Sequence, residues 1–408
     1  MSTIAMLRAD QDVGTGARAG GEALRGHMPA LDGIRGLAIL LVMGHHFFSA
    51  ISVDSRVGSS VVHLLQAGWM GVDLFFVLSG FLITGILFDA KGSQGFFRNF
   101  YTRRALRIFP LYFVLLALTL LLGPWVMPAG DAGNIELRQN FPWLFCYMTN
   151  YVMNATHSFH AFEGPRIDFS HFWSLAVEEH FYLVWPCVVA FLPRRSILRV
   201  CGGLIVLSLV AKAAIAWTHP TNLIGIYTLT QCRMDSLLIG AAVALVARSP
   251  EGLAPFLGPA RLIVKLGIPL VVAAILVRGE LPRAVSLTGI LIYPALAILA
   301  AALLSCTLTT TGPLNRFFSG GFMRFLGAYS YGLYIFHGCL KNVFTTWNDA
   351  GCFRFAGDSP WVANGVFIGA WFGASLLCAL VSRAVLEGPF LRLKARFGAG
   401  AKSAVSTV

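Results

Sequence analysis

The stretch LDGIRGLAILLVMGHHFFSAI, residues 31–51, decides the reading of this chain. It is apolar enough to cross a bilayer, yet it carries Arg35 near one end and His45 and His46 well inside. Arg35 and His46 are eleven residues apart. That is three turns at about 3.6 residues each, so both lie on one helix face, about 16 Å apart along the axis. Ionisable groups inside a membrane helix are costly and usually face a cavity or a partner. Snorkelling of Arg35 to the headgroups, and hydrogen bonds from the histidines to a neighbouring helix, would account for either residue alone. The shared face favours a functional pair.

The bulk properties extend this reading. The chain has 408 residues, 56% hydrophobic and 12% charged, with a mean hydropathy of +0.70. A soluble domain carries about twice that charge, so an all-α integral membrane protein is expected. The net charge of +12 might suggest nucleic acid. The basic residues are instead spread between apolar segments, as membrane topology requires. None of the eight cysteines forms a CxxC pair and most sit in apolar runs, so neither a metal site nor a disulfide framework is implied.

At about 20 apolar residues per span, ten segments qualify. They are roughly 32–52, 68–88, 106–127, 172–192, 197–217, 223–247, 262–278, 284–307, 322–344 and 361–386. With the N-terminus cytoplasmic, Lys and Arg favour the inner segments by about three to one, and the count of ten places both ends inside. Residues 1–30 are rich in Gly, Ala and Arg without an apolar centre. They read as a disordered cytoplasmic tail with no cleavable signal, so the first span directs insertion. Residues 31–392 form one membrane domain on this reading, and 393–408 a second, basic tail. The longest outer loop, about 128–171, contains the partly apolar FPWLFCYMTNYVMN and is expected to fold back over the outer mouth.

Several segments carry chemistry-bearing residues. In the second span Asp73 sits near the outer end and Ser79-Gly80 at mid-depth, the latter suited to close helix packing. In FYTRRALRIFPLYF, Arg103, Arg104 and Arg107 crowd the inner edge, and Arg104 and Arg107 share a face. Topology alone would explain them, but Arg35 lies on the same side, and Arg suits phosphate. In SHFWSLAVEEHFYLVWP, Ser174, Glu178 and Tyr182 make one polar stripe, whereas His171 and Glu179 read as interfacial. Arg233 and Asp235, two apart, point to different sides, so each needs its own partner. Ser330, Tyr334 and His337 share a face in the ninth span, either as a structural stripe or as a site. Arg383 and Glu387 are spaced for a local ion pair. By depth, Arg35, Arg104 and Arg107 are inner, while His46, Asp73, Glu178 and His337 occupy the outer half.

In order, LDGIRGLAILLVMGHHF, GVDLFFVLSGFLI, RRALRIFPLY, FWSLAVEEHFYL, RMDSLLIG, SYGLYIFH and LEGPF resemble the acyltransferase-3 family of membrane-bound acyltransferases. The resemblance runs from Leu31 to Phe390. His180, where glutamine is common, and Gly388, where arginine often precedes the final proline, depart from the pattern. The resemblance implies transfer of an acyl group, often acetyl, from cytoplasmic acyl-CoA to a hydroxyl of an extracytoplasmic glycan or glycosylated product. The family's arginine-to-histidine motif maps onto Arg35 and His46, its paired arginines onto Arg104 and Arg107, and its helix-four glutamate onto Glu178. No appended soluble esterase-like domain of the kind some members carry is expected, and the membrane unit is expected to act alone or with a separate partner.

These readings combine into one expectation for a protein of the cell membrane. Acyl-CoA, a co-substrate and not a resident cofactor, docks its phosphates on Arg35, Arg104 and Arg107. His46 acts as general base on the acceptor hydroxyl or takes the acyl group itself, with Glu178 orienting it. Asp73, Ser79, Ser174, Tyr182, Arg233, Asp235, Ser330, Tyr334 and His337 are candidates for acceptor binding or for the oxyanion. No metal is expected. The rival reading is a secondary transporter that uses the same buried charges as a relay.

Overall fold

A computed structural model describes residues 28–51, 56–127, 132–279, 286–309, 312–354, 359–394 and 397. The expected tails lie almost entirely outside these residues. Ten long helices follow in chain order: α1 Pro29–Ser49, α2 Gly71–Asp89, α3 Phe96–Leu121, α4 Trp173–Phe191, α5 Arg194–Thr218, α6 Thr230–Ala247, α7 Leu257–Arg278, α8 Leu287–Thr309, α9 Gly321–Cys339 and α10 Pro360–Ser382. They correspond one for one to the ten expected spans. The largest shift is in α3, which begins at Phe96 and not near residue 106, because RNFYTRR continues the helix beyond its apolar part. Eight of the helical segments are long and apolar enough to cross a membrane, which makes this an integral membrane protein. The other two long helices are α4 and α9, and these are the ones diluted by Glu178, Glu179, His180, Ser330 and His337. They pack among the apolar eight, α9 chiefly on α1 and α10, and α4 on α2.

Two close crossings set the centre of the bundle. A methyl group added at Gly80 of α2 would stand 1.9 Å from the Leu237 carbonyl oxygen of α6, and one at Gly240 of α6 1.9 Å from that of Val77. Between α1 and α9, Gly36 and Gly327 do the same work against the Met323 and Asp32 backbones. In lipid there is little hydrophobic drive between helices, so such backbone-to-backbone contact is what holds them. The packing expected of Ser79-Gly80 therefore falls to Gly80.

Buried ion pairs lock α2, α5 and α6 together. Arg233 donates to Asp73 at 2.7 Å, Ser236 Oγ donates to the same carboxylate at 2.9 Å, and Lys212 pairs with Asp235. All four charged groups are buried. As the helix period requires, Arg233 and Asp235 have separate partners on separate sides. Such pairs add little to stability as pairs, but removing one partner leaves a charge stranded in apolar surroundings at a cost of about 3–5 kcal/mol.

Near the His46 end of α1 the loop of residues 132–171 folds into a cap. It contains helices Ala132–Phe145 and Thr149–Thr156, a two-stranded hairpin pairing Glu163–Gly164 with Ile167–Asp168, and a short turn of helix at Ser170–Phe172. The short helix Lys341–Asp349 clamps it: Lys341 donates to Asp168 at 2.9 Å and to Glu163 at 3.2 Å, and Asn342 donates to the Gly164 carbonyl at 2.8 Å. The expected folding-back over one mouth of the bundle is thus realised.

Candidate active site

Pro29 at the first turn of α1, where a missing N–H costs nothing, starts the helix that carries both Arg35 and His46. At its far end His46 meets His337 of α9. His337 Nδ1 lies 2.9 Å from the Leu333 carbonyl, and its Nε2 lies 3.1 Å from His46 Nδ1. A carbonyl only accepts, so His337 carries its proton on Nδ1 and its Nε2 is an acceptor. His46 must then carry its proton on Nδ1, which also faces the Val42 carbonyl at 3.1 Å. That leaves His46 Nε2 as the basic nitrogen. Trp371 Nε1 donates to the His337 carbonyl at 2.9 Å and fixes the supporting helix.

His46 lines a cavity of about 410 Å³. One wall is aromatic, with Trp69, Trp173, Tyr227 and Phe159, and the cap supplies Glu163, Asp168, Ser170 and His171. His171 is buried, with its ring centre 5.4 Å from that of His337, and so is not interfacial as the sequence suggested. Burial, partly offset by the Asp168 carboxylate, pulls its imidazole down to about 4. It is neutral at physiological pH.

At the other end of α1, Arg35, Arg104 and Arg107 line a second cavity of about 300 Å³ together with Asp32, Ser79, Asp89 and Arg248. The shared face of Arg104 and Arg107 on α3 aims both at Arg35. Tyr331 of α9 donates to the Ile108 carbonyl at 2.8 Å and holds α3 in place beside them. The Arg104 guanidinium stacks 3.9 Å over the Tyr182 ring. Among the described residues none of these three arginines forms an ion pair, whereas Arg248 is engaged with Asp89.

A narrow third cavity of about 80 Å³ lies between the two and shares lining residues with each. Arg35, Ser79, Arg104 and Arg107 line it jointly with the arginine cavity, and Val72 and Tyr334 jointly with the His46 cavity. Ser174, Glu178 and Ser330 also face it. Here a hydrogen-bond chain runs from Tyr182 to Ser79 at 3.1 Å and from Ser79 to the Glu178 carboxylate at 2.5 Å. Tyr334 donates to the His171 carbonyl at 2.8 Å and lies 2.5 Å from Ser174 Oγ.

The expected residues therefore divide. Arg35, Arg104 and Arg107 converge, His46 faces its own cavity, and Ser79, Ser174, Ser330 and Tyr334 line the passage. The Glu178 carboxylate accepts from Ser79 and shares the narrow cavity with the arginines, and among the described residues no hydrogen bond joins it to His46. The partner of His46 is His337, which lies beneath it and lines none of the three cavities. Asp73, Arg233 and Asp235 are spent on the ion pairs that hold α2, α5 and α6, and Tyr182 hydrogen-bonds Ser79 from outside the lining. Sequence reasoning missed Trp69, Asp168, His171 and Lys341. They lie in loops and short helices, where no periodicity assigns a face.

Polar groups cluster toward both ends of this helical bundle, guanidinium at one and imidazole at the other, and with its apolar helices this defines the class: an integral membrane protein. A family model described as an acyltransferase domain matches residues 28–383, and the chain belongs to that acyltransferase-3 family. The peptidoglycan O-acetyltransferase OatA of Listeria monocytogenes is 28% identical over 335 residues, which is 77% of this chain and 49% of that protein. The O-acetyltransferase OatA of Staphylococcus aureus (strain NCTC 8325 / PS 47) is 28% identical over 231 residues, 54% of this chain and 35% of that protein. A Bacillus subtilis (strain 168) relative is 28% identical over 327 residues, 76% of this chain and 48% of its own. The chain thus spans about half the length, or less, of these curated relatives. No solved structure matches it.

Proposed function

We propose that the chain transfers an acyl group, acetyl by preference, from acyl-CoA to a hydroxyl of a carbohydrate acceptor. The donor enters from the arginine end, which is cytoplasmic, and the acceptor occupies the His46 end, which is extracytoplasmic. The observation that carries this is the run of three cavities from Arg35, Arg104 and Arg107 past Ser79 and Tyr334 to His46. The excess of Lys and Arg in the segments on the arginine side supports the orientation. The relatives named as O-acetyltransferases, one of them acting on peptidoglycan, support the acyl group and the acceptor class.

The cavities also supply a division of labour. The guanidiniums of Arg35, Arg104 and Arg107, which form no ion pair among the described residues, grip the donor's phosphates through charge-assisted, bidentate bonds. Glu178, facing them across the narrow cavity, repels the same phosphates and stops them there. The uncharged pantetheine arm with its thioester passes on toward His46. His46 Nε2 takes the acceptor's hydroxyl proton as the oxygen attacks the thioester carbonyl. The carbon–sulfur bond then breaks, and the imidazolium returns the proton to the departing thiolate. Such general-base assistance is worth about 10²–10⁴ in rate.

The test is reconstituted protein in sealed vesicles with radiolabelled acetyl-CoA supplied to the arginine face. Label appearing on a carbohydrate at the opposite face is the expected result. A solute that crosses unmodified would instead identify a transporter.

A further inference from the structure

The cavity that His46 faces has two unlike sides. The rings of Trp173 and Tyr227 stand 4.8 Å apart between centres, and Trp69 meets Tyr227 edge-on at 6.1 Å, forming one apolar wall. Arg233, anchored on Asp73, lies 5.4 Å from the Tyr227 ring centre and 6.0 Å from that of Trp173, which holds the wall rigid. Across from it stand Glu163 and Asp168, both bonded to Lys341. Lys341 is the single lysine or arginine among the described residues lining this cavity. Burial opposes the Asp168 charge, but Lys341 outweighs it and holds the carboxyl below its ordinary range. The same partners keep the Lys341 ammonium above its own. The rim therefore sets two carboxyl groups, Glu163 also bonded to His160, against one lysine.

We propose that this cavity is an acceptor subsite for an uncharged sugar ring, stacked on the Trp69–Trp173–Tyr227 wall and hydrogen-bonded by the carboxylate rim, and that it excludes acidic sugars. This rests on the carbohydrate-transfer reading above. The C–H faces of a pyranose suit aromatic rings, and carboxylates accept the protons of sugar hydroxyls. A uronic acid would bring a third carboxylate to a site whose single lysine among the described lining residues is already shared between two. Like charges placed together repel and weaken binding.

The test is equilibrium binding to the purified, full-length protein without acyl donor, followed by quenching of tryptophan fluorescence. The probes are methyl glucoside, methyl N-acetylglucosaminide and methyl glucuronide. At least one neutral glycoside should quench saturably, and the glucuronide should need at least about tenfold more for the same effect. Trp173→Phe should reduce the amplitude. Glu163→Gln, which leaves Lys341 one carboxylate fewer, should narrow the gap between neutral and acidic probes. Equal binding of the glucuronide, or no saturable quenching by any probe, overturns the subsite. Quenching that follows this pattern with no acetyl transfer to any sugar would instead count against the transfer reading alone.

Discussion

The Nε2 atom of His337 sits 3.1 Å from Nδ1 of His46, and the Leu333 carbonyl fixes which of the two rings donates. That contact holds the His46 proton on Nδ1 and leaves Nε2 as the basic nitrogen, the atom that meets the acceptor in the proposed reaction. His46→Ala should lower acetyl transfer by at least about 10²-fold. His337→Phe, which removes the acceptor for the Nδ1 proton, should lower kcat and displace the acidic limb of the pH–rate profile. His337→Gln, which keeps an acceptor near the same point, should recover part of both. A His337→Phe protein with an unmoved profile would reduce His337 to packing.

On the proposed reading the three arginines serve the donor and not the chemistry. Arg104→Ala and Arg107→Ala should each raise the KM for acetyl-CoA by about tenfold or more, the worth of a charge-assisted hydrogen bond, with kcat changed less. Lysine at these positions should restore only part, since it lacks the planar fork. Steady-state kinetics with acetyl-CoA as the varied substrate reads this directly. Unchanged KM in both alanine variants would refute docking at the arginine cavity.

Glu178 faces Ser79 and the arginines, so Glu178→Gln should change the donor's KM and leave the acidic limb of the pH profile in place. Measured beside His337→Phe, it separates the two carboxylate assignments. A shift of that limb in Glu178→Gln would favour the direct pairing of Glu178 with His46 expected from the sequence.

That reassignment marks where the sequence stops being legible. The face shared by Arg35 and His46, the Arg104–Arg107 pair and the ten apolar segments all follow from helical period and span length, properties of one helix at a time. Which face of α4 meets α2 and which meets α6 depends on how three helices cross, and nothing local specifies it. Gly80 and Gly240, which set one of those crossings, gave only a hint of close packing. Lys341 and Asp168 are 173 residues apart and join a short helix to a hairpin, so no spacing rule connects them.

The same clamp makes a prediction about stability and pH. Asp168 in the folded protein titrates below its ordinary value of 3.8. Its contribution is therefore complete above that pH and is lost as pH falls through the lower, folded value. Lys341 is the mirror case: it is raised above 10.5, so its contribution is complete below that pH and is lost as pH rises through the folded value. Thermal unfolding in detergent should show Asp168→Asn less stable than the unaltered protein by about 1–3 kcal/mol across the neutral range. The gap should close only below about pH 4. A gap that closed between pH 6 and 8 would point to a histidine and not to this carboxylate.

The α2–α6 crossing gives the last prediction. Gly240 packs against the Val77 backbone, where a Cβ would stand 1.9 Å from a carbonyl oxygen that cannot swing aside as a side chain would. Gly240→Val must therefore push α6 off α2. The same displacement would stretch the Arg233–Asp73 bond, whose two partners sit on these helices. Overpacking alone costs about 1–3 kcal/mol, and loosening a buried ion pair adds to it. The variant should show a lower Tm and a smaller monodisperse fraction in detergent. Gly203→Ala on α5, where an added methyl meets nothing within 4 Å, should be neutral and serves as the control. Equal Tm for the two variants would mean that the bundle is not held by this contact.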